Sequence, residues 1–274
     1  MTTATIGFIG AGNMARSLAG GLLNSGWAAD HLLLSDPDTN QRQGAAQALG
    51  VETFADNRDL AARAEVLVLA VKPQALKEVA EALAPTVQKK QPLVISIAAG
   101  VRVHDIERWL GGALPIVRAM PNTAALIGSG ASGLYANTRV TETQRDAAES
   151  ILRAVGVAVW VKSESLIDTV TAVSGSGPAY FFLVMEALEK AAIKHGLDPA
   201  TARLLTLETA YGAAKMALES GEEPSQLRQR VTSPGGTTEQ AVQALEAGQI
   251  ERIFDDAVTA AMRRARELAD LFGK

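Results

Sequence analysis

Cysteine is absent from all 274 residues of the sequence. This absence excludes a disulfide scaffold, a zinc or iron–sulfur site with cysteine ligands, and catalysis by a thiol. Because disulfides are typical of secreted proteins, a cysteine-free chain also fits the cytoplasmic location that we expect.

An excess of positive charge is lacking too, since 26 lysines and arginines stand against 30 aspartates and glutamates, a formal net charge of −4. That balance argues against a general nucleic-acid binder and against a protein of anionic membrane surfaces. The sequence has no apolar run of roughly 18 residues and no basic stretch followed by an apolar one at its N-terminus. We therefore expect neither a membrane-spanning helix nor a secretory signal.

Hydrophobic residues make up 47% of the chain, enough for a sizeable core, which excludes global disorder. Up to about residue 160, short runs of Val, Ile and Leu alternate with helical patterns. This alternation predicts an α/β fold with a doubly wound sheet of buried parallel strands. The predicted strands cover residues 5–9, 32–35, 66–71, 93–97, 116–120 and 157–161, with 131–136 as a further candidate.

Strand signals stop at about Ser163, and the rest of the chain is predicted to be helical. Two stretches, residues 179–188 and 202–218, are apolar on nearly every side, so helices formed by them must be buried all round. One helix at the centre of a large core would satisfy this requirement. A core shared between two chains would satisfy it too, and the width of the apolar faces favours it. We predict a Rossmann-type dinucleotide-binding domain at residues 1–162 and an all-helical dimerisation and substrate-binding domain at residues 163–274.

The first predicted strand ends in a glycine-rich turn with the pattern GxGxxA, which opens a helical pattern. Gly10 permits the tight turn, Gly12 lets the backbone approach a pyrophosphate, and the small Ala15 allows close packing of helix and strand. The free N–H groups at the helix start would then face the phosphates. Asp36 ends the second strand, where an acidic side chain can bind a pair of ribose hydroxyls. An ordinary glycine turn is the alternative, but the two features together favour a dinucleotide site.

The ends of other predicted strands should line the same crevice, because ligands of open α/β sheets bind at the carboxyl ends of the strands. Lys72 follows such a strand, and it has two interpretations of equal weight: a solvated charge, or a residue beside the cofactor. The candidate segments are residues 70–73, 96–100 and 120–123.

Two glycine-rich loops lie in the helical half of the sequence. Residues 174–178 read SGSGP, which is typical of close backbone packing and also of a polar rim near a ligand. Residues 232–238 read TSPGGTT and fit a capping box that begins at Thr237. Flexible residues at a helix start form a nest of N–H groups suited to a carboxylate, and the hydroxyls of Ser233 and Thr238 add donors. As a bare pattern this is more often a helix cap than a substrate site.

Side chains for hydrolytic or metal-assisted catalysis do not stand out. The three histidines, His31, His104 and His195, lie far apart in the sequence without the setting of a catalytic triad. No HExxH, EF-hand or Walker sequence occurs. We therefore expect no metal site and no phosphoryl transfer.

Four motifs resemble those of pyrroline-5-carboxylate reductases, and the match runs across nearly the whole chain. They are GAGNMA at residues 10–15, AVKP at 70–73 and, most distinctive, SGSGPAY at 174–180 and VTSPGGTT at 231–238. The resemblance implies reduction of 1-pyrroline-5-carboxylate to L-proline with NADPH or NADH, the last step of proline biosynthesis. It also implies C-terminal domains that interlock in a homodimer, with dimers often assembled into a decamer, which agrees with a shared core.

The same resemblance assigns residues to the site. Ser233, Gly236, Thr237 and Thr238 would hold the substrate, and Glu164 is a further substrate-binding candidate. Thr238 would be the catalytic residue, because its hydroxyl would orient the imine nitrogen and relay a proton. The residues that would line the cofactor are Gly10, Ala11, Gly12, Asn13, Met14, Ala15, Ser35, Asp36, Asn57, Ala70, Val71, Lys72, Pro73, Ala98, Ala99 and Gly100.

The implied chemistry needs mainly positioning of the substrate by the side chains, because a cyclic imine is electrophilic and accepts a hydride without a covalent nucleophile. Two other functions stay open. A β-hydroxyacid dehydrogenase has a similar architecture but would carry a lysine one turn beyond the glycine-rich helix start, where this sequence reads PAYFF at residues 178–182. A non-catalytic dinucleotide sensor would keep Gly10 and Gly12 but would not need the loop at residues 233–238.

Overall fold

The computed structural model describes residues 4–274, and its central element is an eight-stranded sheet. The strands are β1 (Ile6–Ile9), β2 (Leu32–Ser35), β3 (Glu52–Phe54), β4 (Val66–Leu69), β5 (Leu93–Ser96), β6 (Ile116–Met120), β7 (Gly130–Ala136) and β8 (Gly156–Trp160). Their order across the sheet is β3-β2-β1-β4-β5-β6-β7-β8. Every residue of β1, β2, β4 and β5 is buried, as the continuous apolar runs predict for strands covered on both faces.

Helices follow most of the strands and make up nearly all of the C-terminal part. Among the described residues, no helix is both long and apolar enough to cross a membrane. The helices are α1 (Asn13–Asn24), α2 (Thr39–Leu49), α3 (Asn57–Ala61), α4 (Pro73–Lys90), α5 (Val103–Trp109), α6 (Glu142–Arg153), α7 (Leu166–Val170), α8 (Gly177–Lys194), α9 (Pro199–Glu219), α10 (Pro224–Arg230), α11 (Thr237–Ala247) and α12 (Ile250–Phe272).

Most of the sheet is parallel, as predicted, but β7 runs antiparallel to β6. The chain between these two strands holds only a short 3-10 helix, Thr123–Ile127, whereas a parallel crossover needs about a dozen residues or more. The prediction of parallel strands is therefore wrong for β7 and also for β8, which pairs parallel to β7 and so runs against the other six strands. The candidate strand at residues 131–136 is confirmed. The sequence carries no signal for β3, which has three residues and begins with a charged one.

Two apolar clusters cover the two faces of the sheet. On one face, Phe8 belongs to a cluster with Leu18 of α1 and Ile151 of α6. On the other face, Leu67 belongs to a cluster with Leu76 of α4. Because both faces are filled by apolar side chains, the carboxyl ends of the strands are the places left for a polar ligand.

Contacts divide the chain into two compact units: the residues up to Ser176 together with Ala260–Lys274, and Gly177–Thr259. The first unit contains the sheet, and in the second α8 packs against α9. The domain boundary expected between residues 162 and 163 stays a prediction. Many large apolar side chains of α8 and α9 are exposed in the single chain, among them Phe181, Phe182, Leu183, Leu204, Leu205 and Tyr211.

Candidate dinucleotide and substrate sites

The glycine-rich turn joins the end of β1 to the start of α1. Gly10 has a φ of 100°, which side chains rarely adopt, and a Cβ there would lie 2.9 Å from the carbonyl oxygen of Ala70. Gly12 is the N-cap of α1, and a Cβ built on it meets nothing within 4 Å. The space beside Gly12 is therefore open to a ligand that approaches the first N–H groups of α1, as a pyrophosphate would.

Asp36 follows β2 and directs its carboxylate at this turn. Its Oδ2 accepts a hydrogen bond from the Ala11 N–H at 3.0 Å, and its Oδ1 accepts one from the Asp38 N–H at 2.9 Å. Arg42 of α2 donates to the Asp36 carbonyl at 2.8 Å. An acidic group held beside the glycine-rich turn is the arrangement that accepts hydrogen bonds from an adenosine ribose.

Ser35 and Asn57 lie next to Asp36 and contact each other. The Ser35 hydroxyl donates to Asn57 Oδ1 at 2.8 Å. Asn57 is the first residue of α3, whose N-cap Asp56 accepts a hydrogen bond from the Arg58 N–H. The Arg58 side chain also hydrogen-bonds the Asp56 carboxylate and lowers its pKa to about 2. Two polar side chains, Ser35 and Asn57, thus meet at the end of β2, and the Arg58 guanidinium is paired with Asp56 in the segment after β3.

Residues 70–73 join β4 to α4 beside the same turn. The Ala70 N–H donates to the carbonyl oxygen of Ile9 at 2.8 Å, which ties this segment to the end of β1. Lys72 is the N-cap of α4 and Pro73 its first residue. The Lys72 side chain is exposed, so both interpretations of this lysine stay open.

Residues 98–100 follow β5, the neighbour of β4. Gly100 has a φ of 70°, and a Cβ there would lie 3.1 Å from the Cβ of Leu268. The predicted cofactor residues are thus gathered at the carboxyl ends of five adjacent strands, β3, β2, β1, β4 and β5. We call this set the cofactor crevice; it consists of Gly10, Ala11, Gly12, Asn13, Met14, Ala15, Ser35, Asp36, Asn57, Ala70, Val71, Lys72, Pro73, Ala98, Ala99 and Gly100.

The predicted substrate loop lies in the unit Gly177–Thr259 and leads into α11. Gly235 has a φ of 73°, and Gly236 is the N-cap of α11, whose first residue is Thr237. The expected capping box at Thr237 is therefore wrong, and the Glu239 side chain instead accepts a hydrogen bond from the Gly235 N–H at 2.8 Å. The polar side chains of this loop are exposed or partly exposed in the single chain, namely Ser233, Thr237 and Thr238.

Glu164 lies between β8 and α7, in the unit that holds the sheet. Its Oε1 accepts hydrogen bonds from the Val103 N–H at 2.7 Å and from Arg118 Nη1 at 3.1 Å. Arg118 is only 3% exposed, and its Nη2 lies 3.8 Å from Asp168 Oδ1. Sequence reasoning missed Arg118, although the strand IVRAM carries a signal for it. A lone arginine in an apolar strand indicates an internal ion pair, because charged side chains are rarely buried without a partner.

Residues 174–178, predicted as a loop, are helical except at Ser176, because the π-helix Thr171–Gly175 ends just before α8 begins at Gly177. Their contacts support the packing interpretation. A Cβ on Gly175 would lie 2.6 Å from the Met120 side chain. The Ser174 hydroxyl donates to the backbone of β7 at 2.8 Å, and the Asn122 amide donates to the Ser174 carbonyl at 3.1 Å. The polar groups of Asn122 and Ser174 therefore attach the π-helix Thr171–Gly175 to the sheet.

Two family models match the chain. The model described as pyrroline-5-carboxylate reductase dimerisation matches residues 164–268. The model described as NADP oxidoreductase, coenzyme F420-dependent, matches residues 5–100.

Individual proteins match it over nearly their whole length. The pyrroline-5-carboxylate reductase of Pseudomonas aeruginosa is 51% identical over 274 residues, which are 100% of both chains. A solved structure of a pyrroline-5-carboxylate reductase from Coxiella burnetii has a TM-score of 0.95 at 49% identity and covers 98% of this chain and 99% of that one. The Plasmodium falciparum pyrroline carboxylate reductase with NADP bound has a TM-score of 0.85 at 29% identity, with coverage of 98% and 99%.

Proposed function

The chain belongs to the pyrroline-5-carboxylate reductase family, and from this premise we propose how its residues divide the work of the reaction. It is an oxidoreductase that reduces 1-pyrroline-5-carboxylate to L-proline with NADPH or NADH, in proline biosynthesis. The observation that carries this conclusion is the match over the full chain at 51% identity. Membership of this family decides against the β-hydroxyacid dehydrogenase and the non-catalytic sensor.

We assign the cofactor to the cofactor crevice. When bound there, the reduced nicotinamide supplies the hydride that the imine carbon accepts. Gly12 leaves room for the pyrophosphate beside the N–H groups of α1. Asp36 has acceptor capacity left for ribose hydroxyls, because each carboxylate oxygen has about two lone-pair sites and uses one of them to accept a hydrogen bond from a backbone N–H.

We assign the substrate to the loop that opens α11. The N–H group of Thr237 and the hydroxyl of Ser233 would hold the carboxylate, since a helix start with flexible residues offers convergent donors to an anion. Gly236 would lie beside the carboxylate, and its own N–H donates to the Ser233 carbonyl at 2.9 Å. The Thr238 hydroxyl would bond the imine nitrogen, and a hydroxyl can both accept and donate at that atom. Glu164 is proposed as a further substrate-binding residue. Orientation of an electrophilic imine is the main catalytic task left to the chain.

We also propose that the chain works as a homodimer that buries the exposed faces of α8 and α9, with dimers assembled into a decamer. Phe181 is 67% exposed in the single chain, Leu183 66% and Leu205 52%. Apolar surface on this scale is typical of an interface between subunits. A match to a dimerisation model at residues 164–268 supports the same assignment and the domain division at residues 1–162 and 163–274. The lack of cysteine supports a cytoplasmic location.

Oxidation of NADPH and NADH by the purified chain, with 1-pyrroline-5-carboxylate as the substrate, tests the function. We expect oxidation to stop when the imine is consumed, with L-proline as the product. A β-hydroxyacid with NAD⁺ is the control and should give no turnover. Cofactor binding without formation of L-proline would contradict the function.

A further inference from the structure

Four charged side chains and one backbone N–H form a chain of contacts within the unit that contains the sheet. Arg118 lies 3.1 Å from Glu164 Oε1 and 3.8 Å from Asp168 Oδ1. Asp168 Oδ2 lies 3.7 Å from Nε of Arg266 in α12. Glu164 Oε1 also accepts the hydrogen bond of the Val103 N–H. The contacts therefore join β6, the segment before α7, α7 itself, the start of α5, and α12; we call them the Arg118 network.

Arg118 is the anchor of this network. It stands in the interior of β6, paired in register with Ser96 of β5 and with Tyr135 of β7. Its side chain is 4% exposed, whereas that of Glu164 is 24% exposed and that of Arg266 is 59% exposed. A buried guanidinium needs an acceptor, because an unpaired buried charge is strongly unfavourable. The position of Glu164 is therefore tied to a central strand of the sheet.

Glu164 in turn caps the start of α5. The N-cap residue of that helix, Arg102, makes no capping hydrogen bond with its side chain. The Val103 N–H instead donates to a carboxylate 61 residues away in the sequence. Helix starts leave N–H groups without partners inside the helix, and this contact satisfies one of them.

The segment between β5 and α5 is thereby held at its far end. It contains Ala98, Ala99 and Gly100 of the cofactor crevice. Its near end is fixed by β5, and its middle turns at Gly100 in a left-handed conformation against Leu268. Without the contact at Val103, this end would be held by the buried side chains of Val101 and Val103 and by the ion pair of Arg102 with Asp270 at 2.7 Å. The segment that has to present its backbone to the cofactor would therefore be held less firmly.

We propose that Arg118 is a positioning residue of the reductase, which acts through Glu164 to hold residues 98–100 in the geometry that binds NAD(P)H. The inference rests on the proposed function of the cofactor crevice. On this assignment Arg118 acts without touching the cofactor or the substrate.

Direct titration of NADPH against the purified chain, followed by the fluorescence of the bound cofactor and without any imine, tests the proposal. Glu164→Ala removes both the ion pair and the cap, and we expect it to raise the Kd for NADPH about tenfold, because small displacements of a binding segment are costly. Glu164→Gln should raise the Kd for NADPH less than Glu164→Ala does, because an amide oxygen can still accept the hydrogen bond of the Val103 N–H. The Kd of Arg118→Lys for NADPH should lie between that of the wild type and that of Arg118→Met.

The double variant Arg118→Met with Glu164→Ala separates positioning from general damage. If Arg118 acts through Glu164, the double variant binds NADPH no more weakly than Glu164→Ala alone. Arg139→Met is the matched control, because Arg139 pairs with Glu107 of the same helix α5 at 3.3 Å but lies on the surface. This control should leave the Kd unchanged. Circular dichroism identifies variants that fail to fold. If Arg118→Met fails to fold, the conservative variants Arg118→Lys and Glu164→Gln take its place in the titration.

Steady-state kinetics supply a second readout. Arg118→Lys should raise the KM for NADPH several-fold, and the KM for 1-pyrroline-5-carboxylate should rise with it only if Glu164 also binds the substrate. A wild-type Kd for NADPH in Glu164→Ala, or effects of the two substitutions that multiply in the double variant, would overturn the proposal. A wild-type chain that does not turn over the imine would overturn the function instead, and the titration would still decide the role of Arg118.

Discussion

The carboxylate of Asp36 accepts a hydrogen bond from the Ala11 N–H at 3.0 Å, so the residue after β2 also holds the glycine-rich turn. A second hydrogen bond, from the Asp38 N–H at 2.9 Å, engages its other oxygen. These two bonds oppose any swing of the carboxylate into solvent. An acidic side chain is thus kept where we propose that the adenosine ribose of a bound dinucleotide lies.

Asp36→Ser should shift the ratio of kcat/KM toward NADPH by about tenfold, which corresponds to roughly 1.4 kcal/mol. The 2′-phosphate of NADPH meets the negative charge of Asp36, and two like charges about 4 Å apart repel by roughly 1 kcal/mol in water and roughly 4 kcal/mol at an effective dielectric of about 20. NADH lacks that phosphate and therefore meets no such repulsion from Asp36. In the variant, NADH instead loses the carboxylate that would accept hydrogen bonds from its ribose hydroxyls. Steady-state kinetics with both cofactors on both proteins measure the ratio.

The matched control is Asp59→Ser, which removes the same charge from an exposed position on α3. Its ratio of kcat/KM for the two cofactors should equal that of the wild type. If the ratio also stays unchanged in Asp36→Ser, then Asp36 does not face the ribose and the assigned position of the adenosine is wrong.

Gly12→Ala should weaken NAD(P)H binding at least tenfold and leave the thermal unfolding temperature nearly unchanged. Gly12 has a φ of −73° and a ψ of −179°, which any residue adopts, and a Cβ there meets no protein atom within 4 Å. The added methyl group would therefore cost little in the free chain but would occupy space that the pyrophosphate needs. Titration of the cofactor and a thermal melt measure the two quantities.

Gly20→Ala in the same helix is the control, for which we expect a change in stability and none in cofactor affinity. A Cβ at Gly20 would make an ordinary contact, 3.5 Å from the side chain of Leu49. Replacing glycine by alanine inside a helix should stabilise the chain by roughly 0.5–1 kcal/mol. Its cofactor affinity should not change. Unaltered affinity in Gly12→Ala as well would show that the phosphates bind elsewhere.

The crevice could be predicted from the sequence because its signals are local. A glycine pattern between a strand and a helix specifies a turn, and the order of strands in a doubly wound sheet then brings the other strand ends beside it. The direction of β7 was less accessible, because the run of apolar residues is the same for either direction. Only the length of the connection after β6 decides it.

The Arg118 network shows where sequence reasoning stops. The arginine in IVRAM indicates that some internal partner exists, but nothing local says which carboxylate it is. Glu164 is 46 residues away, and its contact with Arg118 depends on the packing of the segment before α7 against the sheet. The same limit applies to the end of α12, where Leu268 approaches Gly100 across most of the chain length.

Leu205→Asp or Leu183→Asp should abolish the dimer and the fold of the C-terminal part together. Both leucines are more than half exposed in the single chain and belong to the faces proposed to be buried between subunits. An unpaired charge buried there costs several kcal/mol. Sedimentation velocity and circular dichroism measure assembly and folding. Ala82→Asp, at an exposed position of α4, is the control and should sediment like the wild type. A native chain that sediments as a stable, active monomer would contradict the proposed dimer.

Thr238→Ala should lower turnover about ten- to a hundredfold and leave NAD(P)H affinity nearly intact. Thr238 is the second residue of α11 and is partly exposed, so removal of its hydroxyl leaves no buried polar group without a partner. One hydrogen bond to the imine nitrogen, made in the transition state, is worth roughly 1–3 kcal/mol, which gives that range of rates.

Thr238→Ser retains the hydroxyl and should recover most of the activity. Both variants lack the methyl group of threonine, so equal losses of activity in the two would show that the methyl group matters and not the hydroxyl. Steady-state kinetics with 1-pyrroline-5-carboxylate, together with a direct titration of NADPH, distinguish these outcomes. If kcat and kcat/KM stay at wild-type values in Thr238→Ala, the hydroxyl does not touch the reacting nitrogen and the catalytic assignment is wrong.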